Sequence, residues 1–252
     1  MKAINYITII LLLFVVKAQA QTELTDYLII GAENNPGLKA SFSEYNAALE
    51  KIPQVGTLPD PTISFGYFIS PIETRVGPQR AKLGINQMFP WFGTLGAKED
   101  VAIQMAKAKY EAFEEAKSNL FFDIKSAYFN VYFIQKGINI TKENIRILNT
   151  FQQLAVIKIE TGKASVVDEL RVEMEINELE NQLSYLTDSK YALDVKFNKL
   201  LNRSDTEQVN IPDILWNDSL MVSKNELLDS ISAGNHLIKQ LEHKILSWEN
   251  QE

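Results

Sequence analysis

Few residues of this chain could do chemistry. The 252-residue sequence has no cysteine and only two histidines, His236 and His243. Because they stand seven residues apart, they could share one helix face and bind a metal ion. Protein zinc sites use three or four ligands, however, and neither thiolates nor a clear carboxylate set accompanies these two histidines. The sequence therefore predicts no metal site and no cofactor.

Catalytic patterns are equally scarce. The sequence shows no paired carboxylates, no phosphate-binding loop and no nucleophile placed beside a base. The net charge of −7 and the absence of a basic tract argue against binding to nucleic acid. We therefore expect neither an enzyme nor a nucleic-acid-binding protein. The function has to be inferred from the predicted helices and strands.

The longest predicted element is a helix from Leu95 to Glu160. Alternating steps of three and four residues from Ile103 to Ile159 meet seventeen positions, and only Lys117, Thr141 and Gln152 are not apolar. An apolar seam of this spacing predicts a helix that packs against partners as in a coiled coil. At 1.5 Å per residue this helix would be roughly 100 Å long, whereas a small domain is about 30 Å across. The sequence therefore predicts a strut.

A tight turn is predicted to follow the strut. Gly162 suits the left-handed position after a helix. Ser165 suits the N-cap of the next helix, with Asp168 three residues later as a variant of the capping box. The returning helix, predicted at 166–201, repeats the apolar seam with Lys190 as its single interruption. These features predict an antiparallel helical hairpin.

Two alternating stretches precede the strut. They run from Thr62 to Ile69 and from Lys82 to Phe89, with a loop predicted between them at 70–80. Alternation with period two predicts strands. A strand pair that is apolar on one face and polar or small on the other suits a membrane barrel with lipid outside and water inside. An amphipathic hairpin on a soluble core explains the alternation equally well. The apolar positions are Ile63, Phe65, Tyr67, Ile69, Leu83, Ile85 and Phe89.

Aromatic residues cluster where the second strand ends. Trp91 and Phe92 lie beside Pro90, and aromatic residues at a strand end are typical of the girdle at a membrane interface. We therefore interpret Trp91 and Phe92 as interfacial anchors, with packing in a core as the alternative.

The N-terminal residues are typical of a targeting segment. Lys2, the apolar run Ile7–Val16 and Ala18-Gln19-Ala20 match a signal peptide with a cleavage site after Ala20. An uncleaved anchor is the alternative.

A first helix is predicted at 21–56, with an interruption at 34–37 that could kink it or shift its start and with Pro53 marking its end. The segment 202–223 is polar and irregular. From Lys224 the chain echoes the first helix at an offset of 200 residues, as in Asn35 and Asn235, or Leu38 and Ile238. A repeat is expected to begin there.

Three motifs together resemble the TolC-like outer-membrane efflux proteins. They are Leu58-Pro59-Asp60-Pro61 before the strands, Gln87-Met88-Phe89-Pro90-Trp91-Phe92-Gly93 after them, and Gly162-x-x-Ser165-x-x-Asp168-x-Leu170 at the turn. The resemblance implies a mainly α-helical fold with a membrane β-hairpin. A long antiparallel coiled-coil helical hairpin would form a segment of an α-barrel, and two strands would join a β-barrel.

The resemblance also implies a function. Family members are passive exit ducts of efflux or type I secretion systems, located in the outer membrane with their helices in the periplasm. They form trimers, contact outer-membrane lipid and dock a periplasmic adaptor (membrane fusion) protein, which links them to an inner-membrane pump. By position, the adaptor-contact tip would be Gly162, Lys163, Ala164 and Ser165.

The expected organisation follows from these features. It comprises a signal peptide at 1–20, a first helix at 21–56, an outer-membrane β-hairpin at 57–92, a periplasmic helical hairpin at 93–201 with its tip at 161–165, an equatorial linker at 202–223, and the truncated start of a second repeat at 224–252.

The family carries two such repeats, and the pattern here covers the first repeat and the start of the second. Three copies of this chain would supply six strands, fewer than the about eight of the smallest usual barrel. Three interpretations of the missing part of the second repeat stay open: a fragment of a longer protein, a truncated product, or a six-copy assembly. A periplasmic coiled-coil scaffold or adaptor without a channel is the alternative function, and the sequence does not specify the cargo.

Overall fold

The computed structural model describes residues 24–215 and 222–251, so the predicted signal peptide lies outside the described residues. This part of the chain is mainly α-helical with one two-stranded antiparallel sheet, which confirms the predicted fold class. The elements are α1 (24–34), α2 (Pro36–Val55), β1 (Thr62–Thr74), β2 (Gly77–Asn86), α3 (Thr94–Glu160), α4 (Val166–Leu200), α5 (Lys224–Gly234) and α6 (His236–Glu249).

The chain forms two compact units, which are described in turn. The first comprises the described residues up to Lys39 together with Lys117–Ser223, and the second comprises Ala40–Ala116 together with the residues from Lys224 onward.

In the first unit, α4 folds back along α3. The rings of Tyr128 and Phe197 have centroids 6.3 Å apart, and a Cβ placed on Gly137 would lie 3.7 Å from a methyl group of Leu186. Both pairs are centred within one residue of Gly162, as expected for two antiparallel helices joined by a turn there. The predicted helical hairpin is therefore present.

The two predicted seams form the interface of this hairpin. No α3 seam position from Leu120 to Ile159 is exposed, and none of the nine α4 seam positions is exposed. Lys190, which interrupts the α4 seam, forms an ion pair of 2.6 Å with Asp194 one turn later on the same helix. A lysine with this partner is accommodated at a half-buried position because its charge remains compensated.

Helix α1 packs closely on this hairpin. The ring of Tyr27 meets Phe197 edge-on at 5.0 Å, and a Cβ added to Gly31 would overlap the Cδ1 atom of Ile124. Ile124 is fully buried, so it cannot turn away into solvent. Glycine at position 31 therefore sets how closely α1 approaches α3.

The irregular segment after α4 is bonded back onto the hairpin. The buried Asn198 side chain donates hydrogen bonds to the carbonyl oxygens of Asp205 (3.3 Å) and Glu207 (2.8 Å). Its Oδ1 atom accepts a hydrogen bond of 2.7 Å from Arg203, whose guanidinium lies 5.1 Å from the Tyr27 ring centroid. The hydrogen bonds of Asn198 thus fix the position of the segment after α4, which has no helix or strand through residue 215.

In the second unit, α2 packs antiparallel on the first part of α3. The aromatic pairs Phe42–Phe113 and Tyr45–Tyr110 each have ring centroids 5.3 Å apart. Lys109 also donates a hydrogen bond of 2.7 Å to Glu44, and this contact lowers the pKa of the Glu44 carboxyl.

Helix α6 also contacts α3 within this unit, through both histidines. His236 lies 2.7 Å from Glu111, and His243 lies 3.1 Å from Gln104. The described residues contain no group of three or more side chains that could hold a metal ion. Each histidine instead pairs with a polar side chain of α3.

The predicted first helix is in fact two helices separated at Asn35. The Asn35 side chain accepts a hydrogen bond of 3.0 Å from the backbone N–H of Leu38, which makes it the N-cap of α2. The same geometry recurs 200 residues later, where Asn235 accepts a bond of 3.1 Å from Ile238. Each of the two helices thus begins at an asparagine cap. The repeat inferred from the sequence echo stays a prediction.

Helix α2 ends at Val55, close to the predicted end at 56, and Pro53 lies inside its last turn rather than at its end. Proline has no backbone N–H, so the helix lacks one hydrogen bond at Pro53. The helix nevertheless continues for two further residues, to Val55.

The predicted loop at 70–80 is also wrong. The strands extend to Thr74 and from Gly77, and only Arg75 and Val76 separate them. Proline is a poor residue in a central strand, but Pro71 lies where the pairing is irregular and Pro78 lies next to the turn, and a missing N–H donor is tolerated at such positions. Gly77 has a φ of 122°, which explains a glycine at the turn.

Phe89 was predicted as a strand residue, but β2 ends at Asn86. The next side chain, Gln87, donates hydrogen bonds to the carbonyl oxygens of Pro59 (2.7 Å) and Met88 (3.1 Å). The chain therefore leaves the strand pairing at Gln87, where Gln87 and Met88 already break the alternation, and Phe89 was wrongly included in the strand.

Two glycine substitutions test the packing of the first unit. We expect Gly31→Ala to destabilise the fold by about 1–3 kcal/mol because the new methyl group overpacks against Ile124. Gly137→Ala should instead stabilise by about 0.5–1 kcal/mol, since it removes a flexible helix residue and meets Leu186 at an ordinary contact distance. Chemical denaturation followed by circular dichroism measures both, and equal stability of the two variants would contradict this account.

Candidate functional site

The turn between α3 and α4 is closed by its own backbone. The N–H of Lys163 bonds the carbonyl of Lys158 at 2.8 Å, and the N–H of Gly162 bonds that of Ile159 at 2.9 Å. This is the Schellman pattern, with Gly162 in the left-handed position at a φ of 69°. The glycine identified from the sequence is therefore required by the backbone.

The start of α4 carries the predicted capping box. The Ser165 hydroxyl accepts a hydrogen bond of 3.2 Å from the N–H of Val167, and the Asp168 carboxylate accepts one of 3.3 Å from the N–H of Ser165. With both helix ends capped, the backbone of the tip has a well-defined conformation.

The tip exposes more apolar surface than its four predicted contact residues provide. Of its four predicted contact residues, Ala164 is half-buried and the other three are exposed. Beside them, Val166, Val167 and Leu170 are each about half exposed. None of the three was among the predicted contact residues, although Leu170 belongs to the turn motif and apolar residues outside the α4 seam were a signal for all three.

In the regular part of the β-hairpin, the predicted apolar residues lie opposite one another. The five large side chains on this face are 67% to 73% exposed. Within the second unit, the apolar face of the hairpin is thus left uncovered. The cross-strand pairs are Ile63 with Ile85, Phe65 with Leu83 and Tyr67 with Ala81.

The pairing changes register beyond Tyr67. The next pair is Ile72 with Gln79. Between these two pairs, β1 therefore has the four residues 68–71, whereas β2 has only Arg80. The predicted face residue Ile69 lies in this irregularity, has no cross-strand partner there and is 97% exposed. The regular apolar face therefore ends at Tyr67.

The two aromatic residues before α3 are among the most exposed side chains. Trp91 is 82% and Phe92 is 93% exposed, and their ring centroids lie 6.2 Å apart. The alternative of core packing does not fit this exposure in the part of the chain that the structure describes. Their role as interfacial anchors stays a prediction.

Helices long and apolar enough to cross a membrane do not occur in residues 24–215 and 222–251.

A comparison with curated proteins finds no match. Among solved structures, the chain is similar to the outer membrane protein VceC from Vibrio cholerae, with a TM-score of 0.72 and 14% identity over 93% of this chain and 59% of that one. It is similar to the outer-membrane channel OprN, with a TM-score of 0.74 and 15% identity over 91% and 54% of the two chains.

A third similar structure is the open state of the MtrE outer membrane channel from Neisseria gonorrhoeae, with a TM-score of 0.63 and 18% identity over 89% and 54% of the two chains. At such identities the likeness concerns the fold. The chain spans between 54% and 59% of the length of these three structures.

The family model described as outer membrane efflux protein matches residues 31–203, which is more than half of the chain. This match includes the β-hairpin, the helical hairpin and its tip, and it confirms the resemblance inferred from the sequence motifs. The chain therefore belongs to the outer membrane efflux protein family, a family of channels rather than enzymes.

Proposed function

We propose that this chain supplies the wall of a passive exit duct in the outer membrane, as the outer-membrane component of an efflux or type I secretion system. The uncovered apolar face of the β-hairpin is the observation that carries the proposal. Transfer of its five large side chains from water to lipid would contribute about 1–2 kcal/mol each. Over the regular register, the opposite face of the hairpin is polar or small and would meet water.

Closure of a barrel requires several copies. A single hairpin leaves an unpaired edge on each strand, and such edges are not tolerated in lipid. The proposed assembly therefore joins strands from several copies, with three copies of a two-repeat protein as the expected arrangement. The helical parts would lie in the periplasm.

The tip would dock a periplasmic adaptor protein and, through it, an inner-membrane pump. Two features support this assignment: the doubly capped turn, and the half-exposed Val166, Val167 and Leu170 beside it. A rigid turn loses little conformational entropy on binding, and apolar side chains around it offer contact area.

A periplasmic scaffold or adaptor without a channel is the competing function, and membrane partition separates the two. We expect the full chain, produced with its N-terminal segment, to be recovered in the outer-membrane fraction and released only by detergent. Recovery as a soluble periplasmic protein would contradict the duct.

Substitutions on the two faces of β1 test which face meets lipid. We expect Phe65→Lys to lower the amount of protein inserted in the outer membrane, because a lysine facing lipid costs about 2–4 kcal/mol at the bilayer midplane. Ser64→Lys is the matched control, since Ser64 is its neighbour on the polar face. Immunoblots of membrane fractions give the measurement. Equal insertion of the two variants would show that Phe65 does not face lipid.

A charge at the tip tests docking. Val167 contributes only its backbone N–H to the cap, so Val167→Asp leaves the turn intact and removes apolar contact area. We expect cells with this variant to retain more of a fluorescent efflux substrate than wild-type cells, at an unchanged level of the protein in the outer membrane. Ser184→Asp adds the same charge to an exposed position of α4 away from the tip and is the control. Unchanged efflux by Val167→Asp would rule out docking through this surface.

A further inference from the structure

The β-hairpin has a second face, and its composition is informative. The regular register pairs Thr62 with Asn86, Ser64 with Gly84 and Gly66 with Lys82. These residues are small or uncharged except for Lys82. The face that the proposed function turns toward water therefore carries an isolated positive charge.

Arg80 adds a second charge to this face. Successive side chains of a strand point to opposite sides, so Arg80 shares the face of Lys82, Gly84 and Asn86. Residues 62–67 and 80–86 contain no aspartate or glutamate. Each copy of the hairpin thus contributes one cation, Lys82, to the regular part of its polar face and a second, Arg80, directly beside it, with no anion in these residues.

Lys82 is free to interact with solutes. Its side chain is exposed, and a Cβ added to the opposite residue, Gly66, would meet no atom within 4 Å. Among the described residues, no ion pair holds Lys82 or Arg80. Open space and an uncompensated ammonium therefore occur together on one side of the hairpin.

The two faces fix the orientation together. If the hairpin were reversed, Lys82 would face lipid at a cost of about 2–4 kcal/mol near the midplane, and five large apolar side chains would face water. The orientation that buries Phe65 and Leu83 in lipid is the one that turns Lys82 into the passage.

We propose that Lys82, together with Arg80, lines the aqueous passage of the duct and makes it selective for anionic solutes. This inference rests on the proposed function. Charges of one sign on a wall with low dielectric constant raise the local concentration of counter-ions, and rings of lysine or arginine are the usual device of anion-selective pores. The selectivity should weaken with salt, because the Debye length falls from about 10 Å at 0.1 M to about 3 Å at 1 M.

Cysteine labelling tests the orientation of Lys82. The chain has no cysteine, so Lys82→Cys and Leu83→Cys each introduce a unique thiol on adjacent residues that face opposite ways. In outer-membrane vesicles of the full chain, we expect a membrane-impermeant maleimide to label Lys82→Cys and to leave Leu83→Cys unlabelled. Labelling of Leu83→Cys with protection of Lys82→Cys would overturn the inference.

Ion selectivity tests the role of the charge. In planar bilayers under a KCl gradient, we expect the wild-type reversal potential to indicate a preference for chloride over potassium. Lys82→Gln should weaken this preference, Lys82→Glu should reverse it, and Lys82→Arg should retain it. The same reversal potential for all four proteins would overturn the inference while leaving the duct intact.

A failure of the duct itself gives a different result. Protein that enters the membrane without conducting ions would refute the proposed function, and the labelling pattern would still decide which face of the hairpin meets water.

Discussion

A helix of 67 residues cannot bury its own apolar seam, and this constraint governs the structure. In the first unit, the seam from Leu120 to Ile159 is covered because the chain turns at Gly162 and lays α4 along it. In the second unit, α2 and α6 contact the first part of the same helix through aromatic and polar pairs. Each unit is thus built from helices that share the surface of α3.

The ends of the helices also need stabilising contacts, as their faces do. Each end leaves backbone groups without partners, and short polar residues satisfy them here. Asn35 and Asn235 cap α2 and α6, and Ser165 with Asp168 caps α4. Asn198 performs a related task for the segment after α4, since its side chain bonds two carbonyl groups of that segment. Long helices therefore begin and change direction at defined residues.

The β-hairpin differs from the helices because its two faces differ in polarity, so no single solvent suits both faces. Phe65 and Leu83 lie opposite each other on one side, and Gly66 and Lys82 lie opposite each other on the other side. A sheet with such faces is stable at a boundary between lipid and water. In the proposed duct, this boundary would give the apolar face lipid contacts that the second unit does not provide.

Elements with strong periodicity were predictable without the structure. The seams, the turn at Gly162 and the alternating strands were readable because spacing and residue type are local properties. Tertiary structure decided the extension of the strands through 70–80, the end of β2 before Phe89 and the exposure of Val166 beside the tip. Those outcomes depend on strand pairing and packing rather than on local sequence: proline is tolerated where the pairing is irregular or next to the turn, and exposure is settled by what packs nearby.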